Sequence, residues 1–310
     1  MNFKSLLIPL LSSLFIVTSC NRSSSGPTAE TSHQNSSTTA SADTLLPVAR
    51  ICSTPMPKGF SSAESKLQST KIPLTAKLDV FHSAQQIRRE EVRSETVQLA
   101  LLRPYIWRDA NNQVRHELRV KFLSGDGDVQ QRIKKVVGIW SSIVNVKFDF
   151  VDNGDADIRI GINNDGFSWS KVGSDASEVS EGETMHYGWL DRATPDAEYQ
   201  RTVLHEFGHA LGAVHEHQSP GGEIKWNVAA VHAWCASNNP PWSTEDCDSN
   251  IINRYAASEA IFTRLDPSSI MVYSFPSSWT TDGTSMPMNW RLSNDDKSLM
   301  SSIYGPAPQR

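Results

Sequence analysis

The chain has 310 residues, a formal net charge of -5 and 38% apolar side chains. So mild an acidic balance argues against nucleic acid as the main partner. Behind an N-terminal region of different composition, the length suffices for one well-buried domain of roughly 200 residues.

Taken in order, Lys4, an apolar run from Leu6 to Val17 and then Val17-Thr18-Ser19-Cys20 read as a signal peptide over residues 1–19. The run is too short for a comfortable transmembrane helix. Its last four residues resemble a bacterial lipobox, in which cleavage precedes a cysteine that is then lipidated; the alternative is an ordinary signal with Cys20 there by chance. Several acyl chains on Cys20 would anchor the protein stably. With Asn21 following, the expectation is an exported outer-membrane lipoprotein, the alternative a periplasmic or secreted protein. Residues 20–44 are rich in Ser, Thr and Asn, bury too little to fold and read as a flexible tether. Residues 45–99 carry three prolines between Leu45 and Phe60 and a charged stretch around Arg88, Arg89, Glu90, Glu91 and Arg93. They read as a strap or a pro-segment.

The folded domain is expected over 100–306. Leu118, Val120 and Phe122 alternate as a strand does. Val129, Ile133, Val136, Val137 and Trp140 recur at helical spacing behind Asp128, the expected N-cap. Val146, Phe148 and Phe150 alternate again, as do Ile158, Ile160 and Ile162. Asn163-Asn164-Asp165-Gly166 reads as a turn, its ligand spacing being unlike an EF-hand loop. Thr194-Pro195-Asp196 supplies an N-cap, a first-position proline and an acid for a helix over 196–211. Val203, Phe207, Ala210 and Leu211 form its apolar stripe. Short helices are expected near 226–236 and 243–255, and a last helix from Ser293, with Asp296 completing a capping box and Leu299, Met300 and Ile303 facing inward. Cys235 and Cys247 either close a small loop in an oxidising compartment or stay as buried thiols, which leaves Cys52 unpaired.

The most informative stretch is His205-Glu206-Phe207-Gly208-His209-Ala210-Leu211-Gly212-Ala213-Val214-His215, or H-E-x-x-H-x-x-G-x-x-H. On a helix, His205 and His209 leave the same face. Glu206 is beside the first ligand, within reach of a metal-activated water. Gly212 can take positive φ, ending the helix and turning His215 back toward the same point. Three imidazoles with a fourth position open describe a catalytic rather than a structural zinc. His217 and His186 have the right chemistry but the wrong spacing, and are read as supporting residues.

This pattern resembles the signature of the metzincin zinc peptidases. Downstream, Ser269-Ile270-Met271-Val272-Tyr273 resembles the S-I-M-x-Y turn of the astacin family, and about residues 100–306 look most like a bacterial astacin-like peptidase. The resemblance implies an α+β metzincin-type fold: a twisted, mostly parallel mixed sheet with the zinc helix above it and an irregular, helical lower subdomain. It implies one Zn2+ per chain on His205, His209 and His215, Met271 beneath the metal, and Tyr273 beside it as a transition-state donor. It implies a strand over Asp157–Ile162 before the active-site edge strand, on which an extended peptide would lie, and Met185–Leu190 leading into the zinc helix. Phe122-Leu123-Ser124-Gly125-Asp126 has one residue too many for the inhibitory motif of astacin pro-segments and reads as a turn. Astacins proper continue Glu-x-x-Arg-x-Asp-Arg after the third histidine; here Glu216 is kept and Gln218-Ser219-Pro220 departs from the pattern. In astacins that glutamate meets the new N-terminal ammonium. The expectation for Glu216 is an internal partner and an enzyme active uncut, the alternative a second cleavage within 45–100.

The expected function is a zinc-dependent endopeptidase acting on peptide or protein substrates, with Glu206 as general base, anchored through Cys20 and taken as a monomer. The rivals are a zinc hydrolase of non-peptide amides and a non-catalytic peptide-binding module on the same fold, which would have no need of Glu206.

Overall fold

A computed structural model describes residues 99–309, except Asn239, Glu259 and Thr263, together with Cys52. The signal peptide, the tether with Cys20, and the 45–99 strap apart from Cys52 and Leu99 lie outside the described residues. In chain order the elements are β1 (Leu101–Leu102), β2 (Glu117–Phe122), α1 (Gly127–Ser141), β3 (Lys147–Phe150), β4 (Ile158–Ile162), β5 (Trp169–Ser170) and β6 (Met185–Tyr187). There follow α2 (Asp196–Ala210), α3 (Val228–Ala236), α4 (Thr244–Cys247), a π-helical turn Asp248–Ile252, β7 (Ala260–Ile261) and α5 (Asn294–Tyr304). No helix among the described residues is long and apolar enough to cross a membrane.

The main sheet runs β3-β2-β4-β6-β5. Its first four strands are parallel and β5 is antiparallel at the edge. Parallel strands need cover on their faces, and the sequence provides it. Leu118, Val120, Phe148, Ile158, Ile160, Met185 and Tyr187 are buried, and Val129, Ile133, Val137 and Trp140 of α1 join the same core. Phe148 on the sheet meets Phe207 on α2 edge-on, ring centroids 5.1 Å apart. The mixed α+β arrangement is therefore as expected. The strand that follows β4 in the chain, the two-residue β5, is the edge, with β6 lying between the two in the sheet.

Two caps differ from the sequence reading. The N-cap of α1 is Asp126, not Asp128; its carboxylate accepts from the Asp128 amide at 3.0 Å. Gly125 with φ +101° makes the turn that precedes it, so the chain turns over 123–126, directly after β2. At α2 the N-cap is Pro195, with no side-chain cap. Thr194 turns away, its hydroxyl 2.8 Å from Asp191 Oδ1 and 3.1 Å from Trp189 O. At α5 the Ser293–Asp296 capping box is present.

α2 is more than amphipathic: every residue from Arg201 to Ala210 is buried. Its C-terminal carbonyls, left over by the helix, are taken by side chains from distant segments. Trp107 Nε1 donates to Ala210 O at 2.7 Å and Tyr304 Oη to Leu211 O at 2.8 Å. The half after Gly212 holds a second core of Val231, Cys235, Cys247, Ile251, Val272, Tyr273, Phe275, Trp279 and Met286. Cys235 and Cys247 form a disulfide within it. Cys52 is a buried free thiol.

Candidate metal and catalytic centre

The last two turns of α2 present His205 and His209, and Gly212 brings His215 to them. Gly212 has φ +98°, a conformation that a side chain would strain. All three imidazoles are buried. Each Nδ1 has an acceptor: Ile270 O for His205 (2.8 Å), Ala213 O for His209 (2.9 Å) and Gln218 Oε1 for His215 (3.2 Å). Since all three partners only accept, each Nδ1 carries the proton and each Nε2 presents a lone pair. His209 Nε2 lies 3.1 Å from His205 Nε2 and 3.2 Å from His215 Nε2. Three converging lone pairs repel unless a cation sits among them. Zinc–nitrogen bonds in a tetrahedron put neighbouring nitrogens about 3.3–3.4 Å apart, so the donor set fits zinc in chemistry and spacing. Burial lowers the pKa of His205 and His215 well below the usual imidazole value and that of His209 to about 4, which keeps the ligands neutral.

The floor is the turn carrying Met271. A Cβ on Gly208 would stand 2.5 Å from Met271 Sδ, so this helix position must be glycine for the sulfur to pack there. Asp296 holds the turn from below: Ser269 Oγ and the Ile270 amide donate to its two oxygens at 2.7 and 2.9 Å. One carboxylate thus caps α5 and positions Ile270, whose carbonyl orients His205. The Tyr273 ring lies 4.1 Å from that of His215 and its hydroxyl is buried without a hydrogen-bond partner.

Both oxygens of Glu206 are likewise buried and unpartnered. Burial pushes its pKa up to about 8, opposed by the nearby Cys52 thiol and the Arg201 guanidinium. Buried polar atoms without partners are rare in native proteins. Here the Glu206 carboxylate and the Tyr273 hydroxyl stand beside the three converging Nε2 atoms.

The thiol of Cys52 belongs to this place too. Ligand atoms of Cys52, His205 and Glu206 lie within 4.8 Å of one another. Cys52 pairs in parallel with Ser168, just before the edge strand β5. Nothing local in the sequence marks Cys52 as more than an unpaired cysteine; its meaning comes from a bridge partner more than a hundred residues away.

His186 is elsewhere, between Glu183, Asn163 and Asp165 and stacked on Trp169. His217 is beside the centre, not in it: its ring packs 4.5 Å from Tyr273 and its Nε2 is 3.2 Å from Asn250 O. Glu216 is fully buried and its Oε1 accepts from the Asp266 amide at 3.1 Å, while Oε2 has no partner.

No protein-family model matches the chain. The solved structure of myroilysin is 35% identical with a TM-score of 0.62, covering 68% of this chain and 99% of that one. A second myroilysin crystal structure is 34% identical with a TM-score of 0.49, over 64% of this chain and 88% of its own. Among curated proteins, bovine interstitial collagenase is 30% identical over 121 residues, which are 35% of this chain and 26% of the collagenase. The chain thus spans about a quarter of the length of that relative.

Proposed function

The chain belongs to the astacin-like family of metzincin zinc metallopeptidases, and from that premise we propose that it is an exported, lipid-anchored endopeptidase with one zinc ion per chain on His205, His209 and His215. The observation that carries the reading is the cluster of three Nε2 lone pairs with the orphaned Glu206 carboxylate and Tyr273 hydroxyl around it. Zinc bound there would polarise the scissile carbonyl and acidify a water. Glu206 takes the proton of the attacking water on a carboxylate oxygen and passes it to the leaving amide nitrogen. The Tyr273 hydroxyl donates to the carbonyl oxygen as negative charge develops on it. The edge strand β5 offers backbone groups to an extended substrate, so that peptide or protein is held by strand addition. Export and anchoring rest on the signal-like start and Cys20.

The full chain is latent in this reading. The Cys52 thiol lies within 4.8 Å of ligand atoms of His205 and Glu206, and Cys52 pairs with Ser168 beside the edge strand where a substrate would lie. The strap is thus a pro-segment whose thiol excludes water and substrate until it is displaced or cut away. This favours removal of the strap over activity of the uncut chain.

Digestion of a peptide library by the Cys52→Ala protein, with and without chelator, tests the proposal. Cleavage lost on chelation supports it. Peptides bound but never cut would identify a binding module, and turnover confined to non-peptide amides would identify the other hydrolase.

A further inference from the structure

We infer that Gln218 is the positioning residue of the third metal-ligating imidazole, and that it ties His215 to the turn anchored by the Cys235–Cys247 disulfide. The inference rests on the zinc reading above and deepens it. His205 and His209 are oriented by backbone carbonyls of Ile270 and Ala213, which no substitution removes. His215 lies beyond the helix, at the start of the short turn Glu216–Gln218, in extended conformation. Its Nδ1 is held by a side chain, at 3.2 Å from Gln218 Oε1.

The orientation of that amide is settled by its other end. Gln218 is 2% exposed, and its Nε2 donates to Ser249 O at 2.7 Å and Asn253 O at 2.8 Å. Both amide hydrogens are therefore used, on acceptors that cannot donate. A flipped amide would set its oxygen against two carbonyls. Oε1 must face His215, so His215 must donate from Nδ1 and expose the lone pair of Nε2. The partner turn is Asp248–Ile252, a π-helical insert of the kind often found at functional sites. It is docked on the same stretch by further bonds: His217 Nε2 to Asn250 O at 3.2 Å, and the Tyr255 amide to Gln218 O at 3.0 Å. Cys247 immediately precedes it and is joined to Cys235 on α3. The third ligand is thus fixed by a residue at a position the astacin pattern leaves open, next to Ser219, which stands where that pattern has arginine.

The test uses the full chain labelled at histidine nitrogens and stripped of metal, together with zinc affinity by chelator competition. In the wild type, His215 is expected as the Nδ1–H tautomer. Gln218→Met, which offers no acceptor, should release that preference at His215 alone, with His205 and His209 unchanged as internal controls. Its zinc affinity should fall by about 10–100-fold, the usual effect of losing a ligand's supporting bond. Gln218→Glu keeps an acceptor toward Nδ1 and should hold the tautomer, while its second oxygen, set against the carbonyls of Ser249 and Asn253, should lower the melting temperature. An Nε2–H tautomer at His215 in the wild type would overturn the inference even if Gln218→Met does not fold. So would a folded Gln218→Met that binds zinc as the wild type does, or a tautomer at His215 that neither variant moves while both lower the melting temperature. A wild type that binds no zinc would instead sink the peptidase reading, and the tautomer would still test the role of Gln218.

Discussion

Replacing Glu206 by Gln separates its two properties, proton acceptor and buried charge. A positioned general base contributes about 10²–10⁴-fold, or about 3–5 kcal/mol of barrier. The variant, in a Cys52→Ala background, should lose that much kcat on a fluorogenic peptide while retaining zinc, because the three imidazoles are untouched. The stability effect has the opposite sign. Burial raises the Glu206 carboxyl from 4.5 to about 8 in the metal-free protein. A folded pKa above the unfolded value means that the charged form opposes folding: the penalty is complete above pH 8 and fades as pH falls to 4.5. A shift of about 3.5 units amounts to about 5 kcal/mol. The unpaired amide of the glutamine offsets about 1–3 kcal/mol of this. Urea denaturation of the metal-free proteins should therefore find the variant more stable at pH 9 by about 2–4 kcal/mol, with the advantage gone near pH 4.5. Turnover within tenfold of the parent, at full zinc content, would refute the general-base role. A variant less stable than the parent at pH 9 would refute the electrostatic account.

Four further outcomes are expected. His215→Ala should lower zinc occupancy of the purified protein, and full zinc content would point to another third ligand. Tyr273→Phe should reduce kcat by about 10²-fold or more with little change in KM; an effect confined to KM would leave the tyrosine a packing role. Cys52→Ala should raise peptidase activity of the uncut chain, whose active natural form, by N-terminal sequencing, should begin beyond residue 52; equal activity of the uncut wild type would exclude latency through this thiol. Finally, His209 has a folded pKa lowered to about 4, so the unfolded chain binds this proton first as pH falls through 6.5. The metal-free wild type should then lose about 3 kcal/mol relative to His209→Gln between pH 6.5 and 4, and a constant difference in denaturation experiments would contradict the burial of that imidazole.

The metal ligands were legible because eleven consecutive residues carry them, and helical spacing alone converts that string into geometry. The Met271 turn was legible by its own short motif. What escaped were relations that no local pattern encodes. Cys52 acquires a role only through its pairing with Ser168. Asp296 was read as a cap, which it is, yet its second set of bonds reaches back to Ser269 and Ile270. Asp126 and Asp128 flank Gly127, and local sequence does not distinguish which caps α1. The edge strand β5 has two residues, too few for alternation to reveal. Gln218 occupies a position the astacin pattern leaves open, so only its bonds to His215, Ser249 and Asn253 give it a meaning.

The central claim is that this chain cuts peptides with one zinc held by His205, His209 and His215. The most direct measurement follows peptide hydrolysis and bound zinc in the same sample while zinc is added back to chelator-treated Cys52→Ala protein. Activity should rise in proportion to bound metal and level off at one zinc per chain. Hydrolysis that persists without zinc, or zinc restored to one per chain without any hydrolysis, would contradict it.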